Sequence, residues 1–168
     1  MFQTKERFLQ SWNYEAAQTQ KVLNNLTDES LKQQITPDNW DLGRLAWHTV
    51  SAIKIISSQS DLTFEAPAKD FPVPSSASYI AESYQQASAA FVEAIKTQWM
   101  DESLNDVIDF YGQMKMTKGT LLLFLLQHQT HHRGQMTVLM RQAGLNVPGL
   151  YGPSKEEWAL MGMEAPQM

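Results

Sequence analysis

The sequence predicts an all-α protein, a four-helix bundle with one long connection and a short C-terminal helix. Apolar residues recur at helical spacing in four long segments, and turn or proline-containing segments separate them. With 168 residues, 43% of them hydrophobic and 18% charged, the chain can bury a substantial core as one domain, residues 1–168. Four amphipathic helices bury their apolar stripes against one another as a bundle.

The first two helices are predicted over residues 4–26 and 42–57. Turn residues lie at 36–39, and Asp41 then has the short acidic side chain that caps a helix N-terminus. The inner side of the first helix carries Phe8, Trp12, Thr19, Leu23 and Leu26, with Glu15 among them. The inner face of the second helix carries Leu45, His48, Ala52, Ile55 and Ile56.

A long loop over residues 61–76 contains three prolines and leads to the third helix, predicted over residues 78–99. The apolar stripe of this helix consists of Ile80, Tyr84, Ala87, Phe91 and Ile95. Residues 104–116 then form either a short hairpin or an extended crossover, and the sequence does not separate these two alternatives.

The fourth helix is predicted over residues 117–143. Gly144 follows it, and glycine is the residue most often found just past a helix C-terminus. Pro148 lies beyond and cannot continue the helix. A short helical pattern at residues 155–161 predicts the C-terminal helix.

Composition and charge exclude several classes of protein. The net charge of −5 and the lack of a Lys/Arg run argue against a nucleic-acid-binding protein. Without cysteine, the chain has no disulfide, no thiolate ligand and no cysteine nucleophile. The longest apolar run, residues 121–126, is far shorter than the ~20 residues of a membrane span. Because the N-terminal residues also lack a signal peptide's apolar stretch, we expect a cytoplasmic protein that binds no membrane.

Histidine is the residue type that indicates function, and three of the four histidines lie in the fourth helix. At about 100° per residue, the apolar stripe of that helix consists of Leu121, Leu125, Met136, Leu139 and Ala143. His128 and His132 fall within the stripe, and His131 falls on its shoulder. His48 falls within the stripe of the second helix.

These inner faces meet at the bundle axis, so His48, His128 and His132 are expected to converge. Three imidazole nitrogens would hold a divalent metal ion and leave one coordination position open. His131 is the reserve ligand on the fourth helix. The alternative is a set of hydrogen-bonded core histidines without a metal.

Three further residues are candidates for supporting roles. Gln135 is placed to hydrogen-bond a ligand histidine or the substrate, the alternative being an ordinary hydrogen bond between helices. Glu15 faces inward as an acceptor for a ligand histidine or as a general base, unless its long side chain turns out to solvent. Arg133 lies beside the site and would bind an anionic cosubstrate or remain solvated.

The segments around these histidines resemble the DinB/YfiT-like family of bacterial metal-binding four-helix bundles, the DNA-damage-inducible DinB superfamily. Residues 128–135, His-Gln-Thr-His-His-Arg-Gly-Gln, are similar to the family's His-x-x-x-His-Arg-Gly-Gln signature. Residues 39–48, Asn-Trp-Asp-Leu-Gly-Arg-Leu-Ala-Trp-His, resemble the segment that supplies the first ligand. Residues 144–152 resemble the family's C-terminal segment.

The resemblance implies a divalent ion, zinc or nickel, held by His48, His128 and His132, and it implies a homodimer. Some relatives transfer a low-molecular-weight thiol to electrophiles, and others have been proposed as hydrolases. The function implied is therefore that of a metal-dependent thiol transferase acting on a small molecule. A metal-dependent hydrolase at the same site and a non-catalytic metal- or small-molecule-binding bundle of a stress response remain as alternatives.

The chemistry of such a site agrees with either enzyme. A divalent ion lowers the pKa of a bound water toward ~7, and by the same electrostatics it favours thiolate over thiol. Because the chain has no cysteine, a reacting thiol must arrive as a cosubstrate.

Overall fold

The computed structural model describes residues 2–67 and 72–167. In chain order the elements are α1 (Lys5–Asn24), α2 (Leu42–Ser57), α3 (Ala77–Gln98), β1 (Val107–Phe110), β2 (Met114–Thr117), α4 (Lys118–Gln142) and α5 (Lys155–Leu160). Short 3₁₀ turns lie at Ser30–Lys32, Ser58–Ser60 and Glu102–Asn105. The mainly helical fold with four long helices is confirmed. Among the described residues, no helix is both long and apolar enough to cross a membrane.

Each of the four long helices begins at a polar side chain that accepts a hydrogen bond from the backbone three residues on. These caps are Thr4, Asp41, Ser76 and Thr117. The predicted cap Asp41 accepts from the Arg44 N–H at 2.7 Å. Past the end of α4, Gly144 has a φ of +75°, which L side chains rarely adopt, so the predicted glycine stop is confirmed.

The four long helices form a closed arrangement in which α1 and α2 each pack against both α3 and α4. Between α1 and α3, the rings of Trp12 and Phe91 lie 4.8 Å apart, and Phe8 packs beside them. All three side chains are buried, and burial of a side chain of this size contributes about 1.5–3 kcal/mol. This aromatic cluster stabilises one side of the bundle, whereas the histidines lie between α2 and α4.

Helix α2 buries a wider face than the sequence predicted. Ile55, predicted to face inward, is only half buried, whereas Val50 and Ile53 are fully buried although the prediction left them out. The reason is that α2 contacts α3 and α4 at once, so two adjacent sides of the helix are covered. On α4, Ala143 is likewise only half buried because it is the C-cap of the helix.

Residues 104–116 contain a hairpin, which decides between the two alternatives left by the sequence. Strands β1 and β2 pair antiparallel. At the turn, Tyr111 and Gly112 have φ values of +56° and +68°, the positive pair that a type I′ turn requires. The Tyr111 hydroxyl donates to the Ile55 carbonyl at 3.3 Å, so the tip of the hairpin rests on the end of α2.

The predicted loop over residues 61–76 is observed in part. Residues 61–67 and 72–76 contain neither helix nor strand, and residues 68–71 lie outside the described residues. Both ends of the loop are held by side chains of the bundle. The Thr63 N–H donates to the Gln98 amide oxygen at 3.1 Å, and the Ala77 N–H donates to the Asp28 carboxylate at 2.7 Å.

Candidate metal centre

The contact between α2 and α4 brings three histidine rings together. His48 comes from α2, and His128 and His132 lie one turn apart on α4. The ring centroids of His48 lie 5.0 Å from His128 and 4.7 Å from His132, and the two α4 rings are 4.4 Å apart. The predicted convergence of these three side chains is therefore observed.

The nitrogen atoms of this three-histidine group have the spacing of a metal site. The Nε2 atoms of His48 and His128 are 3.3 Å apart, and one nitrogen from each of the three residues lies within 4.8 Å of the others. Two nitrogens bound at about 2.0 Å with a tetrahedral angle are about 3.3 Å apart. In the described part of the chain, no carboxylate joins the three-histidine group. The group therefore fits a divalent ion held by three nitrogen ligands, with no fourth protein ligand among the residues that the structure describes.

The protonation state of the rings also suits a metal. Burial lowers the pKa of His128 to about 4, and the neighbouring His132, His48 and His131 act in the same direction. Burial likewise lowers the pKa of His132, although its hydrogen bond to Gln135 opposes this. The rings of His128 and His132 are therefore neutral near pH 7, and neutral imidazole is the form that binds a metal ion.

Gln135 orients one of the three rings. Its amide oxygen lies 2.7 Å from Nδ1 of His132, and because this oxygen can only accept, Nδ1 carries the proton. The Nε2 lone pair of His132 is then directed away from Gln135 and is available as a ligand. By contrast, Nδ1 of His128 is buried without a hydrogen-bond partner in the described structure, so of these two histidines only His132 has such an orienting contact there.

Replacing Gln135 with Leu is expected to weaken zinc binding by about 10- to 100-fold, because the His132 ring loses the acceptor that fixes its tautomer and orientation. Competition with a chromophoric chelator measures the affinity. Gln127→Leu is the matched control, since Gln127 is an exposed glutamine on the same helix. Equal zinc affinities for the two variants would contradict the orienting role of Gln135.

Gln129 is a residue at the site that the sequence reasoning missed. Its side chain is 1% exposed, and its amide nitrogen donates to the Thr49 carbonyl oxygen at 2.8 Å. Gln129 follows His128 and Thr49 follows His48, so this hydrogen bond joins α4 to α2 beside two of the three histidines. The available signal was helical spacing, because Gln129 lies four residues after Leu125 and seven after Leu122 and so shares their face, where a buried amide requires a partner.

Arg133 projects from another side of α4, about 100° around the helix from His132. There it contacts Glu15 of α1. Arg133 is 1% exposed, and its guanidinium lies 2.5 Å from the Glu15 carboxylate. It also donates to the Glu15 carbonyl at 2.9 Å, to Thr19 at 3.0 Å, and to the Tyr151 hydroxyl. Tyr151 in turn donates to the same carboxylate at 2.6 Å.

These contacts correct two expectations for this pair. Arg133 is not solvated, because its guanidinium is buried against oxygens of the protein. The Glu15 carboxylate is engaged by Arg133 and Tyr151 and lies outside the three-histidine group. The physical reason is the geometry of α4, which directs the side chain after His132 toward α1 instead of α2.

The C-terminal segment reaches this pair because of one close backbone approach. A Cβ atom at Gly149 would lie 2.7 Å from the backbone carbonyl oxygen of Gly152, closer than real Cβ atoms approach. The Gly149 N–H also donates to the Glu157 carboxylate at 2.8 Å. The segment therefore requires glycine at this position. This turn places Tyr151 over Arg133, with the guanidinium carbon 5.3 Å from the tyrosine ring.

His131, the reserve ligand, is exposed and lies outside the three-histidine group. Its ring centroid is 4.9 Å from that of His132. The neighbouring pair His128 and His132, which the helical projection placed in the apolar stripe, is the one that faces His48. The helical projection thus correctly assigned His132 to the inner face of α4 and its neighbour His131 to the edge of that face.

The fold and this group define a class: helical bundles with a three-histidine group, between two helices, that could hold a divalent ion. Within that class the comparison with known families is specific. The chain belongs to the DinB family, whose sequence model matches residues 1–168.

Relatives of known sequence or structure agree with this assignment. The chain is 68% identical over 168 residues to the uncharacterized protein YrdA of Bacillus subtilis (strain 168), with 100% of both chains covered. A crystal structure of a DinB-like protein from Bacillus cereus ATCC 10987 is similar with a TM-score of 0.87 and 56% identity, over 90% of this chain and 100% of that one. A second DinB-like protein, YjoA of Bacillus subtilis, shares the fold, with a TM-score of 0.66 and 17% identity over 88% of this chain and 99% of its own.

Proposed function

We propose that this protein is a divalent-metal-dependent enzyme that transfers a low-molecular-weight thiol to an electrophilic small molecule. The observation that supports the proposal is the group of three imidazole nitrogens within 4.8 Å of one another, which no carboxylate joins in the described part of the chain. Structural zinc sites have four protein ligands, whereas catalytic sites have three and an open position. His48, His128 and His132 would hold zinc or nickel in this way.

When bound, the ion would lower the pKa of a thiol that reaches the open position, so that the thiolate predominates near pH 7. The chain contains no cysteine, so the sulfur belongs to a cosubstrate. In the reaction, the thiol loses its proton to solvent and the sulfur electron pair forms a bond to the electrophilic carbon. The bond to the leaving group breaks, and its electron pair departs with that group.

The side chains of the protein contribute position and exclusion of water. Gln135 holds the His132 ring through Nδ1, and Gln129 joins α4 to α2 beside the other two histidines. The indole of Trp40 lies 5.0 Å from the His48 ring and 6.4 Å from the His132 ring, so it covers one side of the group. A covered site strengthens the electrostatic effect of an ion on the bound sulfur.

The proposal predicts thioether formation that depends on metal. Tag-free protein loaded with zinc or with nickel is incubated with 1-chloro-2,4-dinitrobenzene and with cysteine, coenzyme A or glutathione in turn. The absorbance of the dinitrophenyl thioether should increase above the rate of the metal-free protein for at least one thiol. His131→Ala should retain this rate, and His128→Ala should lose it, because His128 belongs to the three-histidine group and His131 does not.

The same samples discriminate the other functions. Release of nitrophenol from a nitrophenyl ester without thiol, dependent on metal, would indicate a hydrolase in place of a transferase. Stoichiometric metal without turnover in either assay would indicate a binding protein. The homodimer and the stress response that the family resemblance implies stay predictions, as does the cytoplasmic location expected from the sequence. Sedimentation equilibrium of the tag-free protein measures the first of them.

A further inference from the structure

Three aromatic side chains form a continuous row beside the three-histidine group, on the side of the β-hairpin. The Phe124 ring lies 6.0 Å from the ring of His128, which is one turn further along α4. Phe110 of β1 packs edge-on against Phe124 at 5.4 Å, and Tyr111 packs against Phe110 at 4.6 Å. This aromatic shelf, defined as Phe110, Tyr111 and Phe124, therefore runs from the histidines to the tip of the hairpin.

The aromatic shelf is open to solvent. Phe124 belongs to the most apolar run of the chain, residues 121–126, and is nevertheless 38% exposed. Tyr111 is 51% exposed, and so is most of Met114, which pairs with Phe110 across the hairpin on the same face. Single exposed apolar side chains are ordinary on a protein surface. A contiguous row of them that ends at a candidate metal centre is typical of a surface that a ligand covers.

The hairpin holds the shelf in a fixed position. Tyr111 has a φ of +56°, at a turn position where Asn, Asp or Gly is the usual residue. Its hydroxyl donates to the Ile55 carbonyl at 3.3 Å, which anchors the turn to α2. A large side chain in this backbone conformation costs free energy, and such conformations concentrate at functional sites. The turn therefore points to a role for Tyr111 beyond closing the hairpin.

The shelf and a second surface adjoin the histidines from different ends of the site. The second surface is a cleft of about 460 Å³ lined by Trp40, His132 and Gln135, among others. Phe124 and Gln135 are eleven residues apart in α4, which corresponds to about 16 Å along the helix axis. A transfer reaction brings two substrates to one ion, and these two surfaces give each substrate its own side of the site.

The chemistry of the two surfaces distinguishes the substrates. Cysteine, coenzyme A and glutathione carry polar and charged groups, which cost free energy when they lose water without gaining partners. The cleft offers such partners in Asp38, Asn39 and Gln135, and an ion at the histidines would attract a thiolate. The rings of the shelf present carbon, and the one hydroxyl among them already donates to Ile55. An uncharged electrophile gains little from the ion and requires an apolar surface to bind.

We propose that the aromatic shelf binds the electrophilic cosubstrate and that this cosubstrate is an uncharged aromatic compound. Its ring would stack on Phe124, whose own ring adjoins that of His128. The reacting carbon would then lie next to a sulfur held at the three-histidine group. The inference rests on the proposed function, because it takes the thiol to be the other substrate.

The first test measures binding without reaction. The probe is 1,3-dinitrobenzene, which has the ring of the assay electrophile but no leaving group. Titration of zinc-loaded protein, followed by proton NMR of the probe, should show saturable binding. Replacement of zinc by paramagnetic Co²⁺ should broaden the ring protons of the bound probe strongly, because this relaxation falls steeply with distance from the ion. Broadening equal to that in metal-free protein with Co²⁺ in solution would overturn the inference.

Variants assign this binding to the shelf. Phe124→Ala should weaken it about tenfold, because the stacking surface is lost, whereas Phe124→Trp should retain it. Tyr14→Ala is the matched control, since Tyr14 is an aromatic residue of α1 that is 52% exposed and lies outside the shelf. Zinc content and circular dichroism are measured first. If Phe124→Ala is not folded, Phe124→Leu carries the test, because it keeps an apolar side chain but lacks a π face.

The second test compares two electrophiles with one thiol. In Phe124→Ala, kcat/KM for 1-chloro-2,4-dinitrobenzene should fall about tenfold relative to Tyr14→Ala, because its ring loses the stacking contact. The value for iodoacetamide, which has no ring, should be the same in both variants. The KM of the thiol should also be the same, since the thiol does not contact the shelf.

The outcomes separate the two proposals. If neither electrophile gives a metal-dependent thioether, the thiol-transferase function is overturned and the inference falls with it. If thioether forms but Phe124→Ala equals Tyr14→Ala in probe affinity and in both rates, the inference alone is overturned. It is also overturned if sedimentation equilibrium shows that Phe124→Ala dissociates a dimer while probe binding is unchanged, because the shelf would then be a contact between two copies of the chain.

Discussion

Replacing His128 with Ala is expected to remove the divalent ion from the protein and to lower its affinity at least ~100-fold, because one of three nitrogen donors is lost. The His128 ring lies 4.4 Å from that of His132 and 5.0 Å from that of His48 between centroids. Elemental analysis of tag-free protein should find about one ion per chain in the natural sequence and almost none in the variant.

His131→Ala is the matched control for this experiment. Its ring lies 4.9 Å from the His132 ring, on the same helix, but it is exposed and outside the three-histidine group. Metal content should therefore be unchanged. Circular dichroism shows whether each variant is folded. A folded His128→Ala protein with a full equivalent of metal would place the ion elsewhere, and the proposed function would lose its basis.

Glu15→Ala is expected to lower the free energy of unfolding by about 3 kcal/mol, because it leaves the Arg133 charge buried without its carboxylate. The guanidinium is 1% exposed, whereas the Glu15 side chain is 18% exposed, so we take the lower end of the range for a broken buried pair. Urea denaturation, followed by circular dichroism on metal-free protein, measures the change without a contribution from metal binding.

Two further variants distinguish a buried charge from a general loss of contacts. The double variant Glu15→Ala/Arg133→Met should be less destabilised than Glu15→Ala alone, because no charge then remains uncompensated. Glu156→Ala is the surface control. This variant breaks the ion pair between Arg141, whose side chain is 42% exposed, and Glu156, whose side chain is 34% exposed. It should therefore change the denaturation midpoint little. A double variant less stable than Glu15→Ala would show that packing, not charge, dominates at this position.

Local signals were sufficient for most of the helical framework. Predicted and observed boundaries of the four long helices differ by at most two residues, because capping side chains such as Asp41 and the stop at Gly144 act within one turn of the chain. The projection around α4 also placed His128 and His132 inward and His131 at the edge. The face of a helix that points inward can be predicted from the sequence, because the leucines on that face recur with the period of the helix.

The sequence could not assign the roles of Glu15 and Arg133. These residues are separated by 118 positions, and their contact depends on the side of α4 that α1 covers. The same holds for Gln129 and its acceptor on α2, 80 positions away. Local propensity carries no information about such pairs, because their free energy arises only when the helices are packed.

By itself, the sequence determined that the chain forms four long helices, where each begins and ends, and that three of its histidines face inward. Short-range capping and helical periodicity are sufficient for these features. Only the tertiary structure decided that residues 104–116 turn back as a hairpin, that Arg133 is buried against Glu15, and that a cleft beside Trp40 adjoins the histidines. These features depend on which helix faces meet, and that choice is made by packing between segments distant in the chain.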